Sequence, residues 1–127
     1  MDKKIAITGV ILVTLAVILG AMGAHALKKV LDEQALTSFE TGVRYQMYQG
    51  LGLLFLSSTA LINTSSKNTI YLLLLIGTIL FSGSIYLLSS KVLTGIDFKA
   101  IALATPLGGV LMIAGWLTLL INLIKNN

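Results

Sequence analysis

The side chains able to do chemistry in this chain are few. They comprise one histidine, His25, two glutamines three residues apart, Gln46 and Gln49, and a scatter of serine, threonine and tyrosine hydroxyls. Cysteine is absent, which excludes disulfides, thiolate metal sites and thiol nucleophiles. A lone histidine cannot build a zinc centre or ligate a haem on both faces, so no metal or cofactor is expected. There is no G-x-S-x-G elbow and no phosphate loop. The five acids, Asp2, Asp32, Glu33, Glu40 and Asp97, all lie outside the strongly apolar runs. A proton-coupled antiporter is expected to carry a carboxylate inside a span, and this chain does not. The expectation is a protein that is not an enzyme.

The chain that must position these groups is 127 residues long, 56% hydrophobic and 11% charged, with a mean hydropathy of +0.93. That is too little charge to cover a soluble domain of this length, and it places the chain among integral membrane proteins. The net charge of +4 comes from basic residues set mostly between the apolar runs. It suits membrane lipids, whereas no basic block is long enough to track a nucleic-acid backbone.

Crossing the hydrocarbon core takes roughly 20 apolar residues in a helix. Segments at about 5–25, 43–63, 70–90 and 100–124 meet that requirement. None alternates with the period of two that a transmembrane barrel strand needs. The expected fold is an all-α integral membrane protein, a single domain over residues 1–127 built as a four-transmembrane-helix bundle. An interfacial helical connection joins spans one and two. Asp32 is placed to cap it, Thr37 with Glu40 forms a second candidate capping box, and Glu40 and Arg44 stand at i,i+4 in the favourable order. Residues 33–63 are thus expected to form nearly one helix of about 45 Å, and "TSSKNT" at 64–69 a short polar turn.

"GAMGAHALKK" at 20–29 has the small-residue look of a cleavage site. The apolar run before it reaches about 20 residues, beyond the roughly 7–15 of a signal peptide, so it is expected to stay as a helix. Four spans put both termini on one side. Lys3, Lys4, Lys67 and Lys125 fall on that side and Lys28, Lys29, Arg44, Lys91 and Lys99 on the other, a nearly even balance. The lysines ahead of the first span set the expectation of cytoplasmic termini.

Alternating span direction gathers the polar groups. The end of span one, start of span two, end of span three and start of span four share one half of the bilayer. That half receives His25, Glu40, Arg44, Tyr45, Gln46, Tyr48, Gln49, Ser82, Ser84, Tyr86 and Thr105. The other half holds mainly Thr8, Thr14, Ser57, Ser58, Thr59 and Thr118, whose hydroxyls can bond back to their own helices. His25 suits either an interfacial position or proton handling, and the glutamines either bond across helices or line a cavity. Gly20, Gly23, Ala24, Gly83, Gly108 and Gly109 permit close helix approach and self-association. Pro106 either kinks a continuous fourth span, the favoured version, or takes the first position of a fresh helix capped by Thr105, which leaves 100–105 as a separate turn and faces the helix N-terminus to the polar cluster.

"GAMGAH" at 20–25, "FETGVRYQMYQGLGLL" at 39–54, "LFSGSIY" at 80–86 and "ATPLGGVLMIAGW" at 104–116 resemble the YwdK/YgdD-like family of small bacterial membrane proteins, which is related to a small eukaryotic transmembrane protein. The resemblance spans nearly the whole chain. It implies a multi-pass protein of the bacterial inner membrane, of uncharacterised function and without catalytic residues to carry over. Members often have histidine where this chain has Gln49, so no histidine pair with His25 carries over.

Two functional classes follow. One is a non-enzymatic protein that stabilises the envelope, binds lipid or holds a membrane partner, forming a homo-oligomer. The other is a small transporter or channel subunit with its site in the half facing the 26–42 connection, its small-molecule ligand unidentified.

Overall fold

The computed structural model describes residues 2–97 and 99–125, and all regular elements among them are helical. In chain order these are α1 (Lys3–Ala24), a 3-10 turn (Leu27–Lys29), α2 (Glu33–Ser58), α3 (Thr64–Ser89), the single turn α4 (Lys91–Thr94), a second 3-10 turn (Lys99–Ile101) and α5 (Ala104–Lys125). Three stretches are long and apolar enough to cross a membrane: Lys3–Lys29, Thr64–Ser89 and Lys99–Lys125. By composition α2 does not join them, because even its stretch after Glu40 carries Arg44, Gln46 and Gln49.

Local chemistry sets the helix ends. The Asp32 carboxylate accepts from the Ala35 N–H at 2.7 Å and starts α2, satisfying a donor that has no partner within the helix. Thr37 and Glu40 lie inside the same helix and cap nothing; Thr37 instead offers its carbonyl to the Thr41 hydroxyl. α2 stops at Ser58, five residues short of the expected end, and α3 starts at Thr64, six residues early. Asn63 explains the second difference: its side chain accepts from the Ser66 N–H at 2.8 Å. "TSSKNT" is therefore the opening of a helix and not a turn. The lone turn α4 ends at Gly95, whose φ of 71° is a left-handed closure that glycine adopts without strain.

Pro106 does not kink a continuous helix. α5 begins at Ala104, so the proline stands in its first turn, where a missing N–H removes no intrahelical bond. Residues 99–101 form a separate 3-10 turn, shorter than the expected 100–105, and Thr105 lies inside α5 instead of capping it.

The four long helices pack in the order α1, α2, α3, α5. α1 and α2 run antiparallel: the Asp2 N–H donates to the Ser57 carbonyl, Gly9 lies against Gly50, and Gly23 against Phe39. The buried residues Gly9, Ala16 and Gly23 recur every seven positions on α1. They form one seam toward α2, while Ile7, Val10, Ile11, Leu15, Val17 and Ile18 are exposed around the rest of the helix. A helix apolar on all sides but buried on one is what a lipid solvent produces. Across α3 and α5 the seam is Gly77 against Gly108 and Met112, then Leu74 against Gly115. A Cβ at Gly77 would stand 2.9 Å from the Gly108 carbonyl oxygen, so the backbones meet directly, as small residues allow in membranes.

Polarity divides the packed helices lengthwise. At the end nearer the termini, Ile5, Leu53, Leu56, Ile62, Ile70, Tyr71, Leu74 and Leu119 form an apolar core. Thr8, Ser57, Ser58 and Thr118 there donate to carbonyls of their own helices, and the Thr8 hydroxyl also meets that of Tyr71 on α3 at 3.0 Å. Side-chain bonds between helices are more numerous at the opposite end.

Candidate functional site

Gln46 lies 4% exposed on the inner face of α2, on the helical stripe that runs through Phe39, Gly42, Gln49, Gly50 and Leu53. Its amide faces two ways. Nε2 donates to the Leu12 carbonyl of α1 at 2.8 Å, and Oε1 accepts from the Tyr86 hydroxyl of α3 at 2.6 Å. One side chain therefore joins three helices. The Tyr86 ring packs against Phe39 with centroids 5.3 Å apart, which holds the hydroxyl over the amide.

Ser82, one turn before Tyr86, donates to the Gly42 carbonyl at 2.7 Å. That carbonyl already belongs to the α2 ladder, and its second lone pair receives the hydroxyl. Ser84 binds Thr105 across the α3–α5 seam. The Ser84 hydroxyl also donates to the Phe81 carbonyl at 2.9 Å, so Thr105 is the donor between the two side chains. Gln49 Oε1 accepts from the indole Nε1 of Trp116 at 2.8 Å, joining α2 to α5. Gly52 makes this contact possible, since a Cβ there would stand 2.6 Å from the indole ring.

The sequence reading thus placed Gln46, Gln49, Ser82, Ser84, Tyr86 and Thr105 in one half, where the structure engages each with another helix. The other candidates stand apart. His25 is exposed and ends α1, its backbone N–H directed at Ala21 and Met22. Glu40 and Arg44 are exposed and form no ion pair; Arg44 donates instead to Thr41 at 3.3 Å. Among the described residues the ion pair is Lys91 with Asp97 at 3.7 Å. Tyr45 meets Tyr48 edge-on and Phe81 at a tilt, with both tyrosines exposed. Of the small residues singled out, Gly23 and Gly108 are in tight contact. Gly20 and Gly109 have room, Ala24 is exposed, and Gly83 has nothing within 4 Å.

A second feature is formed mostly by residues that the sequence reading did not single out. A groove of about 520 Å³ opens at the polar end, with Ala35, Ser38 and Thr41 of α2 on one wall. Ile85, Leu88 and Ser89 of α3 also line it, and Lys91, Val92 and Thr105 complete it. Ser89 is 5% exposed, and its Oγ has no hydrogen-bond partner. A serine near a helix end ordinarily donates to the carbonyl three or four residues earlier, as Ser90 does to Leu87. Nothing in the residue order distinguishes the two serines. Trp116 did carry a signal, because an indole N–H inside an apolar helix needs an acceptor.

A family described as a protein of unknown function (DUF423) matches residues 19–109, from the second half of α1 to the start of α5. The chain is 43% identical to a UPF0382 membrane protein of Staphylococcus saprophyticus, over 97% of this chain and 98% of that one. It is 39% identical to the UPF0382 membrane protein YwdK of Bacillus subtilis, over 97% and 98% of the two chains. With the UPF0382 inner membrane protein YgdD of Escherichia coli it shares 34% identity, over 94% and 86%. No solved structure matches.

Proposed function

We propose a role from one premise, that this chain belongs to the DUF423 family of UPF0382 membrane proteins: it is a four-span inner-membrane protein that binds lipid and catalyses no reaction. Three apolar stretches are long enough to span, and the packing of α2 supports a fourth crossing. α2 lies beside α1 from Phe39, against Gly23, to Ser57, against Asp2. Eighteen residues of helix rise about 27 Å, close to the roughly 30 Å of a hydrocarbon core. A helix that accompanies a spanning helix over that length crosses with it. Both termini then share one side, taken as cytoplasmic.

The observation that carries the non-enzymatic reading is the occupation of the polar side chains. Gln46, Gln49, Ser82, Tyr86 and Thr105 each bond to a neighbouring helix, so they act as ties and are not free to solvate a passing ion or activate a substrate. The groove, by contrast, has polar and apolar walls and opens at the end of the helices, where lipid headgroups lie. Self-association belongs to the same proposal, with Gly83 open to a second copy.

Alanine replacement at His25, Gln46, Ser82 and Thr105 tests this. Q46A and S82A should lower the unfolding midpoint in mild detergent, H25A should leave it unchanged, and wild-type proteoliposomes should show no proton flux above empty vesicles. Flux in the wild type that is lost in variants with an unchanged midpoint would favour the transporter or channel reading instead.

A further inference from the structure

The groove beside Ser89 is amphipathic in a particular way. Its apolar part is Ile85, Leu88 and Val92. Its polar part is the Ser38 and Ser89 hydroxyls and the Gln34 amide, which both donate and accept, with the Thr41 and Thr105 hydroxyls, whose protons already go to Thr37 and Ser84, as acceptors. One cation, Lys91, stands at the edge. Lys91 reaches Asp97 at 3.7 Å, but both side chains are more than half exposed, and such a pair is weak enough to exchange. The one carboxylate on the groove, Asp32, is occupied with the Ala35 N–H at the helix start.

Ser89 is the informative member. A buried hydroxyl without a partner carries a desolvation cost that a bound group would remove. The required partner has to reach a hydroxyl beside apolar side chains, next to an ammonium group, at the headgroup level of the bilayer. A groove of about 520 Å³ falls within the roughly 300–1,000 Å³ of small-molecule sites.

We infer that this groove binds the headgroup of a phosphatidylglycerol-type lipid, with the phosphate at Lys91, the glycerol hydroxyls among Ser38, Thr41 and Ser89, and the acyl ester region along Ile85, Leu88 and Val92. Headgroup hydroxyls both donate and accept, as the Ser38 and Ser89 hydroxyls do. All three headgroups carry the phosphate; an ethanolamine ammonium only donates and so cannot accept the Ser89 hydroxyl proton, and choline offers neither function. This inference rests on the lipid-binding reading above and narrows it to one headgroup chemistry.

The test uses the full chain in nanodiscs of equal phosphatidylglycerol, phosphatidylethanolamine and phosphatidylcholine, released and weighed by native mass spectrometry. Phosphatidylglycerol should be retained about tenfold over phosphatidylcholine, as expected for headgroup hydrogen bonds that the glycerol hydroxyls make and choline cannot. K91Q should lower retention of all three lipids, since each carries the phosphate, and S89A should reduce the preference about fivefold. Without lipid, S89A should unfold no earlier than wild type, because it deletes an unpartnered polar group. S38L, on an exposed position, should block retention by filling the groove without disturbing the packed helices. Preferential retention that survives S89A and S38L, or total retention unchanged by K91Q, would overturn the inference, as would retention of all three lipids equally; in the latter case lipid binding itself stands. Retention of no lipid would overturn both readings.

Discussion

The Tyr86 hydroxyl donates to Gln46 Oε1 at 2.6 Å while the same amide's Nε2 reaches the Leu12 carbonyl at 2.8 Å, so a single side chain on α2 couples α1 to α3. In lipid the hydrophobic effect does not draw helices together, and van der Waals packing with interhelical hydrogen bonds takes its place. The amide of Gln46 is therefore a structural element of the same rank as the glycine seams on either side of it.

Y86F should remove one of these bonds at a cost of about 0.6 kcal/mol, the usual size of an interhelical bond in a membrane, and Q46A should cost more, up to about 2 kcal/mol, because it severs both. A double-mutant cycle read by reversible unfolding in detergent checks the coupling. Additive effects of Q46A and Y86F would show that the two side chains do not act together.

The α3–α5 seam predicts a contrast between two glycines of α3. A Cβ at Gly77 meets the Gly108 carbonyl and Met112, whereas one at Gly83 meets nothing within 4 Å. G77V should destabilise the packed helices by about 1–3 kcal/mol, the cost of overpacking, and G83A should leave stability unchanged. The same unfolding assay reads both, and equal effects would contradict the assigned seam.

Trp116 is the chain's one tryptophan, so tryptophan emission reports the surroundings of this indole, which include Gln49 and Gly52. Q49L removes the acceptor of the indole N–H and should shift emission to the blue. G52V places methyl groups where the ring now lies, so it should displace the indole and lower stability as well. Emission unchanged in both variants would place the indole elsewhere.

How legible this was from the residues differs by level. α1, α3 and α5 announce themselves as long apolar runs, and Asp32 marks the start of α2 because an N-cap is a local signal. The end of α2 and start of α3 were harder: "TSSKNT" is polar enough to pass for a turn until Asn63 is seen capping it. The shared half of Gln46, Ser82, Tyr86 and Thr105 follows from alternating helix direction. Their partners do not, since which side chain meets which depends on each helix's rotation about its own axis. Ser82 binds a backbone carbonyl, that of Gly42, and no residue type advertises one. Glu40 and Arg44 show the converse. Their spacing suits a pair, but both are exposed, where such a pair gains little, and Arg44 turns to Thr41.

The central claim is that α2 crosses the membrane beside α1, which puts the polar ties and the groove in one half and both termini on the same side. The chain has no cysteine, so single cysteines at Lys3, Lys29 and Lys125, all exposed, can be labelled with a membrane-impermeant maleimide in intact and opened cells. The account predicts that K3C and K125C label from one side and K29C from the other. Labelling of K3C and K125C from opposite sides would mean an odd number of crossings and would contradict it.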